Sequence, residues 1–577
     1  MFKLTHYLKD FKKEVIIGPI FKLLEAIFEL IVPLVMVKII DVGVGTSSPS
    51  YIIKMGGVLI LLGITGLIFA LICQYYASKA SQGVGTKIRN DLFKHINSLS
   101  HTEIDEIGTP TLITRITNDV NIIQNAVAML IRLAVRAPFL IIGSTILAMT
   151  IDLHLSIIFL IATPIIAIVI YLVMNKSVPF YTTIQKKLDN ISLITSENLE
   201  GVRVVRAFSN EESEKNRFLD ASEDLSKLSI NVGKISALLN PATSIIANLS
   251  IIAILWFGGK RIDLGTLTQG KIIALVNYMT SILLALIVLA NLIVLFTKAF
   301  ASIKRVKEIF EIKPSIVEND VNDTKILGHH PKIEFKDVSF NYKNSSENSL
   351  SNLKVSINAG ETIGIIGGTG SGKTSFINLI PRFYDSNKGS VLVDGIDVRN
   401  YSLNSLRKKI GIVPQKAVLF SGTIKENLLW GNENASLEDI NEALNIAQAS
   451  EFVNKLPEKC DTLLLEGGKN LSGGQKQRLT IARALICNPE ILILDDSCSA
   501  LDFATDAALR KALKEKNTDM TVLMVSQRAS TVKDADKIIV LDNGEIVGIG
   551  THDYLLNNCE VYKEICLSQL TEKEASA

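Results

Sequence analysis

A glycine-rich segment in the second half of the chain has the residue types of a phosphate-binding loop. It reads Gly367-Gly368-Thr369-Gly370-Ser371-Gly372-Lys373-Thr374-Ser375 and contains the pattern G-x-x-x-x-G-K-T. Residues 361–366 before it predict a buried strand, and the apolar residues after it predict a helix. In this context the glycine N–H groups wrap phosphates, Lys373 reaches the β- and γ-phosphates, and Thr374 is expected to bind Mg²⁺.

A pair of carboxylates follows farther along the chain. Residues 491–494 form an apolar run that predicts another buried strand, and this run ends in Asp495 and Asp496. At this distance after a phosphate loop, Asp495 is expected to orient Mg²⁺, mainly through water, because Mg²⁺ keeps much of its hydration shell. The two segments together predict that the chain binds ATP with Mg²⁺.

Composition places this nucleotide segment in a larger chain with two different halves. A chain of 577 residues is longer than a single hydrophobic core usually supports, so several domains are expected. Hydrophobic residues make up 48% of the chain, and its mean hydropathy of +0.31 is high for a soluble protein. Apolar residues dominate 15–302 and fall to ordinary levels afterwards, so we expect a membrane half followed by a soluble half. The net charge of only +2 gives no indication of a nucleic-acid partner.

Six apolar segments in the first half are long enough, or nearly so, to cross about 30 Å of hydrocarbon as helices. They cover residues 15–42, 52–81, 134–151, 155–174, 236–259 and 271–302. Lys and Arg are concentrated at the N-terminus and in the two long connections, and they are absent from the short connections 43–51 and 152–154. The positive-inside rule therefore predicts a multi-pass protein of the cell membrane whose N-terminus and soluble half are cytoplasmic.

The two long connections, 82–133 and 175–235, keep a helical pattern with few turn signals. Disordered loops of this length are uncommon, so we expect cytoplasmic extensions of the membrane helices. Each extension is expected to expose a short transverse segment that can touch another domain. These segments are predicted near residues 102–109 and 207–212.

A few charged residues lie inside the predicted spans. Glu25 and Glu29 are four residues apart on one face of the first helix, and Arg132 and Arg136 have the same spacing at the start of the third. An intramembrane charge indicates a functional site by default, which would place the glutamates on a substrate path. The alternative is that Glu25 pairs locally with Lys22 and that the arginines lie at the membrane interface.

These observations predict a multidomain chain. Residues 1–311 are expected to form an all-α polytopic membrane domain with six transmembrane helices and long cytoplasmic extensions. Residues 312–331 are polar and charged, which is typical of a linker. Residues 332–577 are expected to fold as an α/β P-loop domain that binds nucleotide.

Between the phosphate loop and the two carboxylates lies a short motif, Leu471-Ser472-Gly473-Gly474-Gln475, which opens a helix rich in Leu, Ile and Ala. With this motif the whole chain resembles half of an ATP-binding cassette (ABC) exporter, in which six membrane helices precede one nucleotide-binding domain. A Ser and two glycines at a helix N-terminus form an anion site. The resemblance implies that Ser472, Gly473, Gly474 and Gln475 meet the γ-phosphate held by a second subunit, so a dimer is required.

Other residues match positions of the same family. Tyr342 resembles the aromatic residue that stacks on adenine, and the alternative is a strand residue in a core. Gln415 resembles the loop glutamine that binds Mg²⁺ and senses the membrane domain. Glu466 resembles the acidic residue of an exporter-specific loop, and residues 499–502 match the loop that crosses between two nucleotide-binding domains.

Two positions depart from the family pattern. The family has Glu immediately after the Mg²⁺-associated Asp, where this chain has Asp496, and a switch His where this chain has Gln527. The missing methylene withdraws the carboxylate oxygens by about 1.5 Å, and a misplacement of about 1 Å can cost on the order of 100-fold in rate. Gln527 can donate an N–H group but cannot become cationic. We therefore expect Asp496 and Gln527 to be degenerate catalytic positions.

These departures predict an ATPase-coupled transporter that is the hydrolysis-impaired half of a heterodimeric exporter. A homologous half-transporter with intact Glu and His would be its partner, and ATP would be hydrolysed mainly where the partner's phosphate loop meets Ser472. The expected substrates are amphipathic small molecules, drug-like or lipid-like, taken from a path surrounded by membrane lipid. Two alternatives remain: a homodimer that hydrolyses ATP slowly at two weakened sites, and an ATP-gated regulator or channel on the same scaffold.

Overall fold

The computed structural model describes residues 4–318, 330–343, 345, 347–516 and 519–569. Residues 319–329 of the predicted linker lie outside the described residues. The chain divides into two compact units, one of residues 1–97 with 108–313 and the other of residues 98–107 with 314–577. The predicted domain boundaries at 311 and 331 stay predictions.

The first unit is helical throughout its described residues, apart from short turns. Its helices, with α4 numbered in chain order although it belongs to the second unit, are α1 Leu4–Lys9, α2 Lys12–Lys38, α3 Pro49–Ser98, α4 His101–Ile107, α5 Thr109–Thr114, α6 Val120–Met129, α7 Arg136–Ile151, α8 Leu153–Glu200, α9 Val202–Ala207, α10 Glu211–Ala237, α11 Leu239–Asp263 and α12 Gln269–Glu311. Wider π-helical turns occupy Ile39–Val44, Arg115–Asp119 and Leu130–Ala134.

Five helical stretches among the described residues are long and apolar enough to cross a membrane. They are Pro49–Ser98, Thr109–Ile151, Leu153–Ser177, Glu211–Asp263 and Gln269–Glu311. These stretches contain the second to sixth predicted segments. The first predicted segment, 15–42, is helical but is not among the five, because Lys22, Glu25 and Glu29 interrupt its apolar run. The prediction of six spans is therefore confirmed for five of them.

The long connections continue the helices, as their pattern predicted. Helix α3 has 50 residues, which corresponds to about 75 Å, well over twice the hydrocarbon thickness. The second predicted transverse segment, near residues 207–212, coincides with the end of α9 at Ala207, the turn after it and the start of α10 at Glu211. Three acidic residues in the first turn of α10 favour a helix start at that point. Phe208 between the two helices is 79% exposed.

The core of the first unit forms around α12, which packs against α2, α7, α8 and α11. Phe159, Leu275 and Tyr278 are fully buried there, and the Tyr278 hydroxyl donates a 2.7 Å hydrogen bond to the carbonyl of Leu30. Such a bond satisfies the polar end of an otherwise apolar ring and fixes α12 against α2.

A buried carboxylate ties α12 to the π-helical turn Arg115–Asp119. Asp119 is 1% exposed, accepts a 2.9 Å bond from Ser302 and forms ion pairs with Arg115 and Arg305. A charge buried this deeply is tolerated only when it is paired and hydrogen-bonded, and Asp119 meets both conditions.

The described residues of the second unit form an α/β domain with three sheets. Its strands are β1 Ile333–Phe340, β2 Leu350–Ile357, β3 Thr362–Ile366, β4 Lys388–Val393, β5 Ile396–Asp397, β6 Ile410–Val413, β7 Gly422–Thr423, β8 Leu463–Leu464, β9 Ile491–Asp495, β10 Thr521–Val525, β11 Lys537–Asp542 and β12 Glu545–Gly550. Its further helices are α13 Lys373–Leu379, α14 Leu403–Lys408, α15 Ile424–Leu429, α16 Leu437–Ile446, α17 Ser450–Lys455, α18 Gly473–Leu485, α19 Phe503–Lys516, α20 Ala529–Val532, α21 His552–Asn558 and α22 Glu560–Gln569.

The main sheet has the order β12-β11-β3-β10-β9-β6. Its four pairings from β11 to β6 are parallel, and β12 is an antiparallel edge strand. Strands β9 and β10 are buried at every residue, which is the pattern of parallel strands covered on both faces. A separate antiparallel sheet has the order β2-β1-β4-β5.

Helix α4, the first predicted transverse segment, belongs to the second unit. The His101 ring lies 4.7 Å from the ring of Phe383, Tyr384 donates a 2.8 Å bond to Asp105, and Lys343 pairs with Glu106 at 2.8 Å. Burial lowers the pKa of His101. Aromatic, hydrogen-bond and ionic contacts therefore hold these residues to the nucleotide unit.

Candidate nucleotide site

Four parallel strands deliver the predicted site residues to one edge of the main sheet. In register, Val525 of β10 lies opposite Asp495 of β9 and Ile365 of β3, and Val413 of β6 lies opposite Leu494. The phosphate loop, Gln527, the two aspartates and Gln415 follow the carboxyl ends of these strands. Loops at the carboxyl edge of a parallel sheet are where α/β proteins bind ligands.

A cleft of about 550 Å³ opens at this edge. The predicted site residues that line it are Tyr342, Thr369, Gly370, Ser371, Gly372, Lys373, Thr374, Ser375, Gln415, Asp495, Asp496 and Gln527. Its volume is within the range of small-molecule sites. Gly367 and Gly368 lie just behind the lining, where their carbonyls accept hydrogen bonds from Lys373.

The phosphate loop has backbone positions that only glycine fits well. Gly372 has φ +96°, and a Cβ on Gly367 would lie 2.1 Å from the carbonyl oxygen of Leu541. Lys373 Nζ donates to the carbonyls of Gly367 at 2.8 Å and Gly368 at 2.6 Å. Burial lowers the pKa of this ammonium. If Lys373 binds phosphate as the sequence predicts, it would exchange these two loop carbonyls for phosphate oxygens.

The predicted Mg²⁺ ligands lie side by side at the end of β9. The Thr374 hydroxyl is 3.3 and 3.4 Å from the two carboxylate oxygens of Asp495. Burial is the main cause that raises the pKa of Asp495, and the adjacent charge of Asp496 adds to it. A cation placed between hydroxyl and carboxylate would relieve this unfavourable burial of negative charge.

Asp496 faces the same cleft from a strained backbone. Its φ of 44° and ψ of 24° are left-handed, a conformation that costs energy for a residue other than glycine. Its Oδ2 is 3.5 Å from Gln415 Nε2, at the outer limit of a hydrogen bond. Its Oδ1 is buried and has no hydrogen-bond partner among the described residues. Burial also raises the pKa of this carboxyl.

Gln527 lines the cleft from the loop after β10. Its backbone is held from the C-terminal helix, because Gln569 Nε2 donates a 2.7 Å bond to the carbonyl of Gln527. Gln569 Oε1 accepts a 2.9 Å bond from the N–H of Ala529. One side chain therefore holds the loop on both sides of Arg528.

Tyr342 lies at the entrance of the cleft, just after β1. Its hydroxyl is 3.0 Å from Ser375 Oγ, and its ring makes edge contacts with Phe340 at 4.9 Å and Tyr384 at 5.3 Å. The side chain is 37% exposed. The exposed part of the ring is available for stacking on adenine. The contacts with Phe340 and Tyr384 also agree in part with the alternative, a residue packed in a core.

The signature residues lie outside this cleft, at the N-terminus of α18. Ser472 caps the helix, and its N–H donates to Gln475 Oε1 at 2.9 Å in a reciprocal capping box. The Gln475 side chain is therefore engaged with its own helix end. Gly473 has open space around it, with no heavy atom within 4 Å of a built Cβ.

Several lining residues were not predicted from the sequence. Glu347, Asn348, Ser349, Asn543 and Gly544 line the cleft, and the Gly544 N–H donates to the carbonyl of Ser371 at 3.3 Å. The Asn-Gly pair marks a turn between two strands. That signal identifies the turn but not its position beside the phosphate loop.

The described residues fit Mg²⁺–ATP. Phosphates would fit the open glycine loop and Lys373, whose ammonium is held only by contacts that a phosphate can replace. A divalent cation would fit the Thr374 hydroxyl beside the buried Asp495 carboxylate, and the unpartnered Oδ1 of Asp496. Among the described residues no group of three or more His, Cys, Asp or Glu side chains could hold a metal by itself. Mg²⁺ would therefore need phosphate oxygens and water as further ligands.

Comparisons with known proteins agree with this geometry. Residues 15–303 match the ABC transporter transmembrane region, and residues 350–499 match the ABC transporter family of ATP-binding domains. The chain is 37% identical over 569 residues to the uncharacterized ABC transporter ATP-binding protein YfiB of Bacillus subtilis (strain 168), covering 99% of this chain and 98% of that protein. It is 35% identical to an ATP-dependent lipid A-core flippase of Syntrophus aciditrophicus (strain SB), covering 87% and 83%.

A solved structure has the same fold. A bacterial Atm1-family ABC exporter with ATP bound matches with a TM-score of 0.82 and 24% identity, covering 97% of this chain and 99% of that one. The membrane-region match, the ATP-binding match and the full-length relatives agree. The chain belongs to the ABC transporter family, as an exporter half whose membrane domain is fused to the ATP-binding domain that couples ATP hydrolysis to transport.

Proposed function

We propose that this chain is the hydrolysis-impaired half of a heterodimeric ABC exporter. The observation that carries the proposal is the pair Asp496 and Gln527, both lining a cleft that also contains the predicted phosphate and Mg²⁺ ligands Lys373, Thr374 and Asp495. The site would retain nucleotide, because Lys373, Thr374 and Asp495 are in place. It would cleave nucleotide slowly, because the two positions that activate water and sense the γ-phosphate are altered.

The geometry around Asp496 supports slow cleavage. A general base must come within hydrogen-bond distance of the attacking water, and the Asp496 carboxylate is shorter than Glu by about 1.5 Å. The Gln415 amide contacts it at 3.5 Å, the outer limit of a hydrogen bond. The raised pKa of Asp496, due mainly to burial, favours proton uptake but does not extend its reach.

The chain's own signature would serve the other site. Ser472–Gln475 lies outside the cleft, with open space at Gly473. The family arrangement pairs each phosphate loop with the signature of the opposite subunit. The homologous partner would therefore supply a phosphate loop, a Glu and a His, and α18 of this chain would complete the hydrolytic site.

The substrate class we propose is amphipathic: drug-like molecules or lipids, moved out across the cell membrane. The apolar first unit supports it, as does the name of the relative that is a lipid A-core flippase. The excess of Lys and Arg in the long connections favours a cytoplasmic N-terminus and nucleotide domain.

The test is nucleotide trapping on the purified complex in lipid. Labelled ATP should remain uncleaved in this chain's cleft through many turnovers of the partner site, and Asp496→Glu with Gln527→His should shorten its residence. Mostly ADP in this cleft, unchanged in the double variant, would overturn the proposal.

A homodimer is distinguished by a second measurement. If the chain alone in lipid hydrolyses ATP as fast as the co-expressed pair, then two equivalent sites operate and the partner is a second copy. An ATP-gated regulator or channel is distinguished by the absence of vectorial transport in vesicles that contain the complex.

A further inference from the structure

The first unit contains an ion pair between two helices that are far apart in sequence. Arg136, the first residue of α7, donates from Nη2 to Glu29 Oε2 of α2 at 2.6 Å, across 107 residues of sequence. Glu25, one turn before Glu29, instead pairs with Lys22 of its own helix at 2.7 Å. The two glutamates of α2 therefore differ: Glu25 has the local partner Lys22, and Glu29 has a partner on another helix.

The Glu29–Arg136 pair lines a small cavity between α2, α7 and α12. Ser281 adds a hydroxyl from α12, and Leu133, Leu284 and Val288 supply apolar walls. The Glu29 side chain is 42% exposed and that of Arg136 is 24% exposed. Charged side chains within membrane spans almost always face the helix-bundle interior or a water-filled cavity, so this exposure favours a cavity on an interior path.

The pair leaves hydrogen-bonding capacity unused. A guanidinium has five N–H donors in a planar fork, and Arg136 Nε is buried without a hydrogen-bond partner among the described residues. A buried unpaired donor costs free energy, and an incoming anionic group that reaches the fork would recover it. The Glu29 carboxylate can in the same way accept from an ammonium group.

The depth of the pair fits a lipid headgroup. Fifteen residues separate Arg136 from Ile151, the end of α7, and fifteen separate Glu29 from Val44, the end of the helical turns after α2. At 1.5 Å per residue both side chains start about 22 Å from that end of the unit, in a hydrocarbon layer of about 30 Å. With the proposed orientation, the pair lies close to the inner boundary, where headgroups of inner-leaflet amphiphiles are found.

We propose that Glu29 and Arg136 form a recognition site for a zwitterionic amphiphile, in which Arg136 takes the anionic group and Glu29 the cationic group. This inference rests on the proposed export function and names its substrate class. Without ligand, the Glu29–Arg136 ion pair keeps the cavity neutral. A ligand with both charges replaces this one ion pair by two, one between its anionic group and Arg136 and one between its cationic group and Glu29. A ligand with a single charge would leave either Glu29 or Arg136 unpaired in the apolar region, which costs more than it gains.

The test compares amphiphiles that share one alkyl chain. Binding of an alkylphosphocholine, an alkyl sulfate, an alkyltrimethylammonium and an alkyl maltoside is measured on the full complex in nanodiscs, below their micellar concentrations. We expect the alkylphosphocholine to bind on the order of 10-fold more tightly than each of the other three. Glu29→Gln should remove the discrimination against the sulfate, and Arg136→Gln the discrimination against the ammonium.

Two further variants separate recognition from structure. Glu29→Arg with Arg136→Glu keeps an ion pair between α2 and α7 but reverses its direction, so the preference for the alkylphosphocholine should fall. Glu25→Gln, the matched control on the same helix, should keep the preference. Equal affinities for all four amphiphiles in the wild-type complex, or an unchanged preference in the reversed pair, would overturn the inference.

The result is independent of the nucleotide chemistry. ATP hydrolysis by the wild-type complex without added amphiphile tests the proposed exporter, whereas the order of amphiphile affinities tests this site. A complex that hydrolyses ATP but has no zwitterion preference leaves the exporter in place and removes this inference.

Discussion

Gln569 and Gln527 are joined by a hydrogen bond between the last turn of the described chain and the loop after β10, residues 526–529, which we name the switch loop. Gln569 Nε2 donates to the Gln527 carbonyl at 2.7 Å, and Gln569 Oε1 accepts from Ala529. Helix α22 is anchored below it by Tyr562 and Cys566, both fully buried. The conformation of the loop at position 527 is therefore fixed by a residue 42 positions away.

Gln569→Ala should loosen the switch loop. Each lost hydrogen bond contributes about 1 kcal/mol, so hydrogen exchange of residues 526–529 should become roughly 10-fold faster or more. Hydrogen–deuterium exchange with mass spectrometry on the complex measures this. Ser568→Ala, which removes only a bond to Ile565 of the same helix, is the control, and equal exchange in both variants would contradict the assignment.

Asp495→Asn should stabilise the nucleotide-free protein while removing its response to Mg²⁺–ATP. Burial raises the folded-state pKa of Asp495 above its unfolded value, so the folded state binds this proton more tightly. The carboxyl thus reduces stability at neutral pH, and the reduction is relieved as pH falls through the raised pKa. The melting temperature of the Asn variant without nucleotide should be higher than that of the wild type, and its stability should change less as the pH is lowered. Thermal unfolding with and without Mg²⁺–ATP measures both effects, and a lower melting temperature without nucleotide would argue against a desolvated charge.

Ser472→Ala should reduce ATP hydrolysis of the complex on the order of 100-fold, as loss of an anion-site donor does, whereas Asp496→Ala should do much less. Ser472 is also a helix cap, worth about 1 kcal/mol of stability. Ser436→Ala is the matched control, because Ser436 caps α16 in the same type of capping box. The steady-state ATPase rates of the three variants measure this difference. Equal losses of rate from Ser472→Ala and Asp496→Ala would indicate two equivalent sites.

Tyr384→Phe should weaken communication between α4 and the nucleotide cleft. Tyr384 donates to Asp105 of α4 at 2.8 Å and contacts the ring of Tyr342, a lining residue. Phe keeps the ring contact and loses the hydrogen bond, worth about 1 kcal/mol, so stimulation of ATPase by transported amphiphile should fall. Tyr401→Phe loses a comparable 3.0 Å bond to the carbonyl of Val393 and should lower stability without this effect.

Asp119→Asn should destabilise the first unit. Breaking a buried ion pair by removing one partner costs about 3–5 kcal/mol, because Arg305 and Arg115 would keep their charges. Glu311→Gln breaks an exposed pair with Lys307, which is worth about 0–1 kcal/mol. Thermal unfolding in lipid should show a clear loss for the first variant and almost none for the second.

The features determined by the sequence alone are local ones. The phosphate loop is one contiguous segment whose glycines specify its own backbone, with Gly372 at φ +96°. The membrane spans follow from apolar length, and the one segment not confirmed is the one whose apolar run is interrupted by Lys22, Glu25 and Glu29. Asp496 and Gln527 could be identified as unusual because they are read directly from the motif.

Other relationships were decided only by the tertiary structure. Each of these relationships joins residues that are distant in sequence. They are the contact of Gln415 with Asp496, the hydrogen bond from Gln569 to the switch loop, the assignment of α4 to the second unit and the pairing of Glu29 with Arg136. Periodicity shows which face of a helix or strand is apolar, but it does not specify the partner that this face meets. Partners are chosen by packing of the whole unit, where a 2.6 Å ion pair across 107 residues depends on how two helices are placed and not on either helix alone.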